Sequence, residues 1–294
     1  MLAIVISRGG NRWQPQARLT RRRPACISCR MLDGVLSIYR DPLFLPFPLA
    51  SVAISALAFL AFAGPLTWIA AAAPPSLERY RIQSRRPRPQ ELLAPSLRAW
   101  LVNNAILLVV VVLAWPLLRL SGVHAGPLPP WWVVLGQVVL FIYLDDFLYY
   151  WVHRTLHTRW LYKRIHGWHH RIVTPWAVTG HYMHPVEYVL TGTLALVGPV
   201  LVGAHVLTLW LWFAFRQWEA AEGHCGYDFP WTPTHVLPFN DGAIHHDVHH
   251  ARVKGNYAGF LAWTDWVFGT YARGYREEVA ARHWWLRAWS AATG

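Results

Sequence analysis

Histidine is the residue type whose placement carries chemistry in this sequence. Fourteen of the sixteen histidines lie between His153 and His250, and twelve of these carry the pattern. They come as His153 and His157 (H-R-T-L-H), His166, His169 and His170 (H-G-W-H-H), His181 and His184 (H-Y-M-H), a lone His224, and His245, His246, His249 and His250 (H-H-D-V-H-H). Spacings of three and four put side chains on one face of a helix. Several segments built this way can aim imidazole nitrogens at one place. Imidazole suits zinc, copper, iron or nickel. One tetrahedral zinc takes about four ligands, so ten or more clustered histidines serve two ions at about four or five each. Two neighbouring ions with open positions are able to activate dioxygen. A single H-x3-H pair arises by chance on a surface helix. Packing does not account for a dozen buried imidazoles, each of which needs a polar partner.

An imidazole shell is neutral, so nearby carboxylates should offset part of the ionic charge by accepting from the ligands' N–H groups. Asp145, Asp146, Glu187, Asp247 and Asp265 are available. Asp146 precedes His153 by seven residues, two turns along one helical face. His124, His205, His235 and His283 lack ligand spacing and are read as structural. Cys26 and Cys29 form a C-x-x-C without the other half of a zinc site, and Cys225 reads as packing; three cysteines make no disulfide framework.

The elements that must position these residues are membrane helices. The chain is 54% hydrophobic and 14% charged, with nineteen tryptophans, and its mean hydropathy is +0.22. Soluble domains carry about 25% charged residues. The expected fold is an all-α integral membrane protein, with about four transmembrane helices or two helical hairpins under a cytoplasmic histidine-rich cap. Residues 43–73 read as a kinked helix or a shallow hairpin, and 100–118 and 131–151 as spans. The uncharged stretch 188–215 is broken at Gly198-Pro199. His184 precedes this stretch and His224 follows it, so a shared site requires exit and return on one side. Two short helices in a hairpin are therefore expected, with no span after residue 220.

The net charge of +12 comes from arginines set beside apolar runs, as at Arg79, Arg81, Arg85, Arg86 and Arg88. That placement suits topology and anionic lipid rather than nucleic acid. It puts the basic loops, and the histidines that follow the spans, in the cytoplasm: at the endoplasmic reticulum in a eukaryote, at the inner membrane in a bacterium. Residues 1–30 are arginine-rich without an acidic residue. They read as a targeting segment, a disordered arm or the product of an upstream start codon, with Met31 the natural start. Residues 31–276 read as the working domain and 277–294 as a tail.

The spacing H-x3-H, H-x2-H-H and a later H-x2-H-H, carried here by His153/His157, His166/His169/His170 and His246/His249/His250, resembles the fatty acid hydroxylase/sterol desaturase superfamily of membrane non-haem di-iron enzymes. Within it the chain looks most like the C-4 methylsterol monooxygenases, through E-R-Y-R-I-Q (Glu78–Gln83), D-D-F-L-Y-Y-W-V-H-R, H-P-V-E, E-G-H-C-G-Y-D-F-P-W and T-D-W-V-F-G-T-Y-A-R-G-Y. The likeness covers roughly residues 40–276. It implies ten ligands to two iron ions: His153, His157, His166, His169, His170, His184, His224, His246, His249 and His250. His181 and His245 are extra, and Asp146, Glu187 and Asp247 are the candidate outer carboxylates. Zinc can replace iron in a purified sample.

The resemblance implies oxygen-dependent hydroxylation of a lipid C–H bond, most like oxidation of a sterol C-4 methyl group. Sphingolipid or fatty-acid hydroxylation and lipid desaturation are the alternatives within the superfamily. A non-oxidative membrane zinc protein, hydrolase or carrier, is more remote, because the histidines follow the spans instead of lying inside them. The lipid should enter from the bilayer past Trp176, Tyr182, Trp210, Trp212, Phe215 and Trp218. No haem, flavin or nucleotide motif is present, so electrons should come from a cytochrome b5-like protein or a ferredoxin with its reductase.

Overall fold

The structure, a computed structural model, describes Gly34 and residues 36–282. The basic arm 1–30, most of the tail and His283 lie outside the described residues. Residues up to Arg40 form one unit and the chain from Asp41 onward another; the second carries everything that follows. Among its described residues the elements are helical, with two isolated β-bridges.

Helix α1 (Leu45–Ala72) begins with a π-helical turn and contains Pro65, yet is one continuous helix, not a hairpin. It ends at Ala73 in the left-handed conformation before Pro74-Pro75. Helix α2 (Pro89–Leu118) starts well before the expected residue 100. Proline suits the first helical position, where its missing N–H is not needed. The next, Pro95, lies inside the helix and forgoes the bond to the Glu91 carbonyl. Helix α3 (Trp131–Leu156) runs past the expected end and holds His153 in its last turn, with His157 as C-cap. A short α4 (Arg159–Arg164) follows, then 3₁₀ turns over His166–Arg171 and Ala177–His181. Four helices, beginning at Leu45, Glu91, Trp131 and Pro185, are long and apolar enough to cross a membrane. Leucines on them stand open: Leu113 is 70% exposed and Leu117 75%. Such exposure is stable against lipid, not water.

The expected hairpin is present as α5 (Pro185–Val202) and α6 (Val206–Gly223). Its break lies at Gly203, not at Gly198-Pro199. Gly203 takes φ 59°, and a Cβ there would sit 3.0 Å from the Gly122 carbonyl oxygen. Pro199 stays inside α5 because the carbonyl it leaves without a donor, Ala195, accepts from the Trp212 indole at 2.8 Å. Gly198 lets Phe141 of α3 press against the helix, since a Cβ would meet its ring at 2.5 Å.

The helices share two ends. At the far end, the 119–130 loop docks on the hairpin tip, with His124 N–H donating to Ala204 O and Val206 N–H to His124 O. His205 bonds Gly126 O there. At the near end, Val178 N–H donates to Thr67 Oγ1 at 3.0 Å, and Ile82 N–H to Gly226 O at 3.0 Å. The later chain, α7 (Ile244–Arg252), α8 (Trp263–Phe268) and α9 (Tyr275–Arg282), is too short to span and closes this end. Helix α9 crosses the boundary expected at residue 276. Tyr275 donates to Asp241 Oδ2 at 2.7 Å, and Val279 is buried.

Candidate metal centre

At the near end nine imidazoles converge in two groups: His153, His157, His166, His170 and His249, and then His169, His224, His246 and His250. Within each group the donor atoms all lie within 4.8 Å of one another. The last turn of α3 supplies His153 and His157. The segment H-G-W-H-H is a 3₁₀ turn, not α-helix; it sends His166 and His170 to the first group and His169 to the second. Helix α7 sends His249 to the first and His246 and His250 to the second. The adjacent pairs His169/His170 and His249/His250 thus straddle two adjoining sites. The ring centroids of His170 and His250 are 4.9 Å apart.

The hydrogen bonds behind the rings test whether these nitrogens fit a metal. His153 Nδ1 donates to Tyr257 O at 2.7 Å, His249 Nδ1 to Gly255 O at 2.7 Å, and His166 Nδ1 to Glu187 Oε1 at 2.6 Å. These acceptors carry no hydrogen, so the ring proton sits on Nδ1 and Nε2 presents a lone pair. Yet His153 Nε2 lies 3.0 Å from His166 Nε2, and His170 Nε2 lies 3.1 Å from that of His249. The lone pairs of His153 and His166 at that separation repel unless a cation lies among them. In the second group His224 Nδ1 donates to Ala220 O at 2.8 Å and His250 Nδ1 to Ile172 O at 2.7 Å. His224 Nε2 stands 3.3 Å from His169 Nε2 and 3.1 Å from His246 Nε2. The donor set fits two cations.

Burial also keeps the imidazoles unprotonated. Desolvation depresses His169 to about 3 and His224 to about 4. Desolvation and then the charges of neighbouring histidines hold His246 and His249 well below the ordinary value, and His250 likewise. The lone pairs of these five rings are therefore available at neutral pH.

The remaining expected residues have other places. His184 joins neither group. It caps α5, its Nδ1 accepting from Val186 N–H at 3.2 Å, because Pro185 starts the helix directly after it. His181 is buried and stacked on Phe59 with centroids 3.8 Å apart. His245 turns away on α7, its Nε2 3.2 Å from Asp265 Oδ2. Of the three candidate carboxylates only Glu187 bonds a clustered imidazole. Asp247 Oδ1 accepts from Gln83 at 2.8 Å. Asp146 Oδ1 accepts from the N–H groups of Phe260 and Leu261 at 2.9 and 3.0 Å. The carbonyls of Tyr182, Ala220, Gly255, Tyr257 and Ile172 were not legible as ring acceptors in the sequence. Asp265 does leave a signal, in T-D-W: it accepts from Tyr257 and Ala258 N–H and so sets the carbonyl that holds His153.

A cavity of about 250 Å³ runs among α1, α2, α3, α5 and α6 to the second group, where His224 and His246 line it. Phe47, Val111, Ala114 and Leu118 line its far part. The six aromatics expected to contact a lipid do not line it. Trp212 braces the hairpin, Trp210 donates to Pro46 O, and Trp176 is fully buried. Tyr149, Tyr188, Phe213 and Phe260 stand on the wall instead.

Known proteins share this chain's pattern. Residues 138–270 match the family model "Fatty acid hydroxylase". Methylsterol monooxygenase 2-2 of Arabidopsis thaliana is 39% identical over 68% of this chain and 76% of its own length. Methylsterol monooxygenase 2-1 of the same plant is 37% identical over 70% and 81%. A rice protein (Oryza sativa subsp. indica) named very-long-chain aldehyde decarbonylase GL1-11 is 42% identical over 65% and 74%. No solved structure matches. The long aligned relatives, the histidine cluster and the apolar spans agree, and the chain belongs to the fatty acid hydroxylase family of membrane oxidoreductases.

Proposed function

We propose that this protein is a di-iron lipid monooxygenase that oxidises the C-4 methyl group of a sterol. The observation that carries the reading is nine converging imidazoles at the end of a membrane-embedded apolar cavity. The kinship with proteins named methylsterol monooxygenase supports the sterol. The clustered nine histidines are the assigned ligands, and residues 31–276 the oxygenase domain. Two iron ions, when bound, supply reductive activation of dioxygen toward an unactivated C–H bond. The chain's own part is placement. Glu187 and the main-chain carbonyls fix the tautomer and direction of His153, His166, His169, His224, His249 and His250. The four-histidine group, with one ring fewer, is the one that meets the cavity and so faces the lipid. The apolar helices keep water from the reacting carbon and let the lipid enter sideways.

Two electrons per turnover come from a separate carrier. Arg154, Arg252, Lys254 and Arg273 wall an open cleft whose floor includes Gly255 and Tyr257. The carbonyls of these last two hold His249 and His153. A basic cleft one residue from the ligands suits an acidic donor such as a cytochrome b5-like protein or a ferredoxin. Positive loops at the near end favour a cytoplasmic orientation.

The test is incubation of iron-loaded protein with 4-methyl and 4,4-dimethyl sterols, a reducing system and labelled dioxygen. Label at a C-4 methyl carbon, read by mass spectrometry, is the expected result. Oxidised fatty acyl or sphingolipid products without a sterol product would overturn the sterol assignment.

A further inference from the structure

The cavity wall carries a second chemical feature. Asp145, Asp146, Arg216 and Glu219 line it, one to two turns deeper than the histidines on α3 and α6. Ionisable side chains at that depth are costly and mark function. Asp145 and Arg216 satisfy one another in part: Arg216 Nε donates to Asp145 Oδ2 at 2.8 Å, and a terminal nitrogen donates to Thr191 O at 3.2 Å. Asp146 is 3% exposed; its Oδ1 is held by two main-chain N–H groups, and its Oδ2 is buried with nothing donating to it. Glu219 Oε1 and Asp145 Oδ1 are in the same condition. Glu219 feels the charges of Asp145, Asp146 and Arg216. Three carboxylates thus share a single guanidinium, and an acceptor left without a donor is what a ligand's O–H group would satisfy.

The remaining wall fixes the rest of the ligand. From Leu107 to Leu118 the cavity follows α2 for about 16 Å at 1.5 Å per residue. That part is apolar, and the metal end lies on the opposite side of the carboxylates. A group held at Asp146 lies between that apolar part and the end that His224 and His246 line.

We infer that Asp146, with Glu219 beside it, accepts a hydrogen bond from a hydroxyl of the lipid, so the substrate is one that carries a hydroxyl next to the carbon that is oxidised. This rests on the proposed function and narrows it. A 4-methyl sterol bearing a 3-hydroxyl meets the requirement. A free fatty acid does not, because its carboxylate would join three others around one arginine. A hydrocarbon or esterified acyl chain offers no donor.

The test is equilibrium competition on purified full-length protein against a radiolabelled 4-methyl-3-hydroxysterol. The competitors are that sterol unlabelled and its 3-O-methyl ether, which cannot donate. Wild type should prefer the hydroxysterol at least tenfold. Asp146→Asn keeps an acceptor for Phe260 and Leu261 but turns a donor to the cavity, and should bring the preference to threefold or less. Glu219→Gln should reduce it at least threefold, and it carries the test alone if Asp146→Asn fails to fold. Unchanged preference in the folded variants would overturn the inference, as would a wild type that binds both sterols equally. Lost turnover with preference intact would also overturn it, in favour of proton delivery. A wild type that binds neither sterol would bring down the sterol reading itself, a result distinct from all of these.

Discussion

His166 is aimed by a carboxylate, whereas His153, His249, His224 and His250 are aimed by main-chain carbonyls. The difference sets what single substitutions do. Glu187→Gln retains an acceptor but removes the charge that strengthens the ring's basicity, so metal affinity of the five-histidine group should fall by about tenfold or more. Chelator competition measures it. His169→Ala and His249→Ala should each abolish turnover and lower bound iron, while His283→Ala does neither; metal analysis beside the sterol assay reads both. Acid should loosen the metal-free protein. His169 and His224 titrate near 3 and 4 when folded and near 6.5 when not. Between about 6.5 and about 3 the unfolded chain binds protons that the folded one refuses, so stability falls as pH falls through that window. The melting temperature of apo protein should drop from pH 7 to pH 5 and change little from pH 9 to pH 7. Of this layer, eight of the clustered histidines were legible because spacing survives in a linear chain, while the lone His224 came only with the family resemblance. The carbonyls were not, since every residue has one and only the fold says where it points. His184 was drawn in by its motif and then used by α5 as a cap.

At the scale of elements, the α5–α6 hairpin follows from an argument of parity: two site histidines on either side of an uncharged stretch demand exit and return. Where the turn falls needed the structure. Gly-Pro is a strong breaker signal in sequence, but Trp212 supplies from another helix the donor that Pro199 lacks, and tertiary context overrides the local rule. Trp212→Phe should cost about 1–3 kcal/mol by leaving the buried Ala195 carbonyl unpaired. Adding Pro199→Ala, which restores a backbone donor, should return part of that loss; thermal unfolding of the two variants and their combination would show the coupling. The early start of α2 was hidden for a similar reason, since prolines near its N-terminus look like loop but occupy positions that tolerate them.

Over the whole molecule, most arginines and lysines among the described residues gather at the end that holds the histidines. The far loop from Ser121 to Pro130 carries no acidic or basic residue apart from His124. In a background with Cys26→Ser and Cys29→Ser, membrane-impermeant thiol reagents applied to intact cells should label a cysteine placed at Gly126 and spare one placed at Arg86, with buried Cys225 silent in both. The reverse pattern would invert the orientation. Composition and span length made this layout readable in advance, because lipid imposes it on any chain. The route of the cavity was not readable, as it depends on which of many apolar faces meet.

The pairs His169/His170 and His249/His250 each give one ring to either site. Neither site is complete until the residues of α7 arrive, and those follow the α5–α6 hairpin in the chain. A chain cut before His246 would keep all four long apolar helices, yet hold only part of either ligand set. One short helix thus completes both sites at once, and a chain that lacks it has neither.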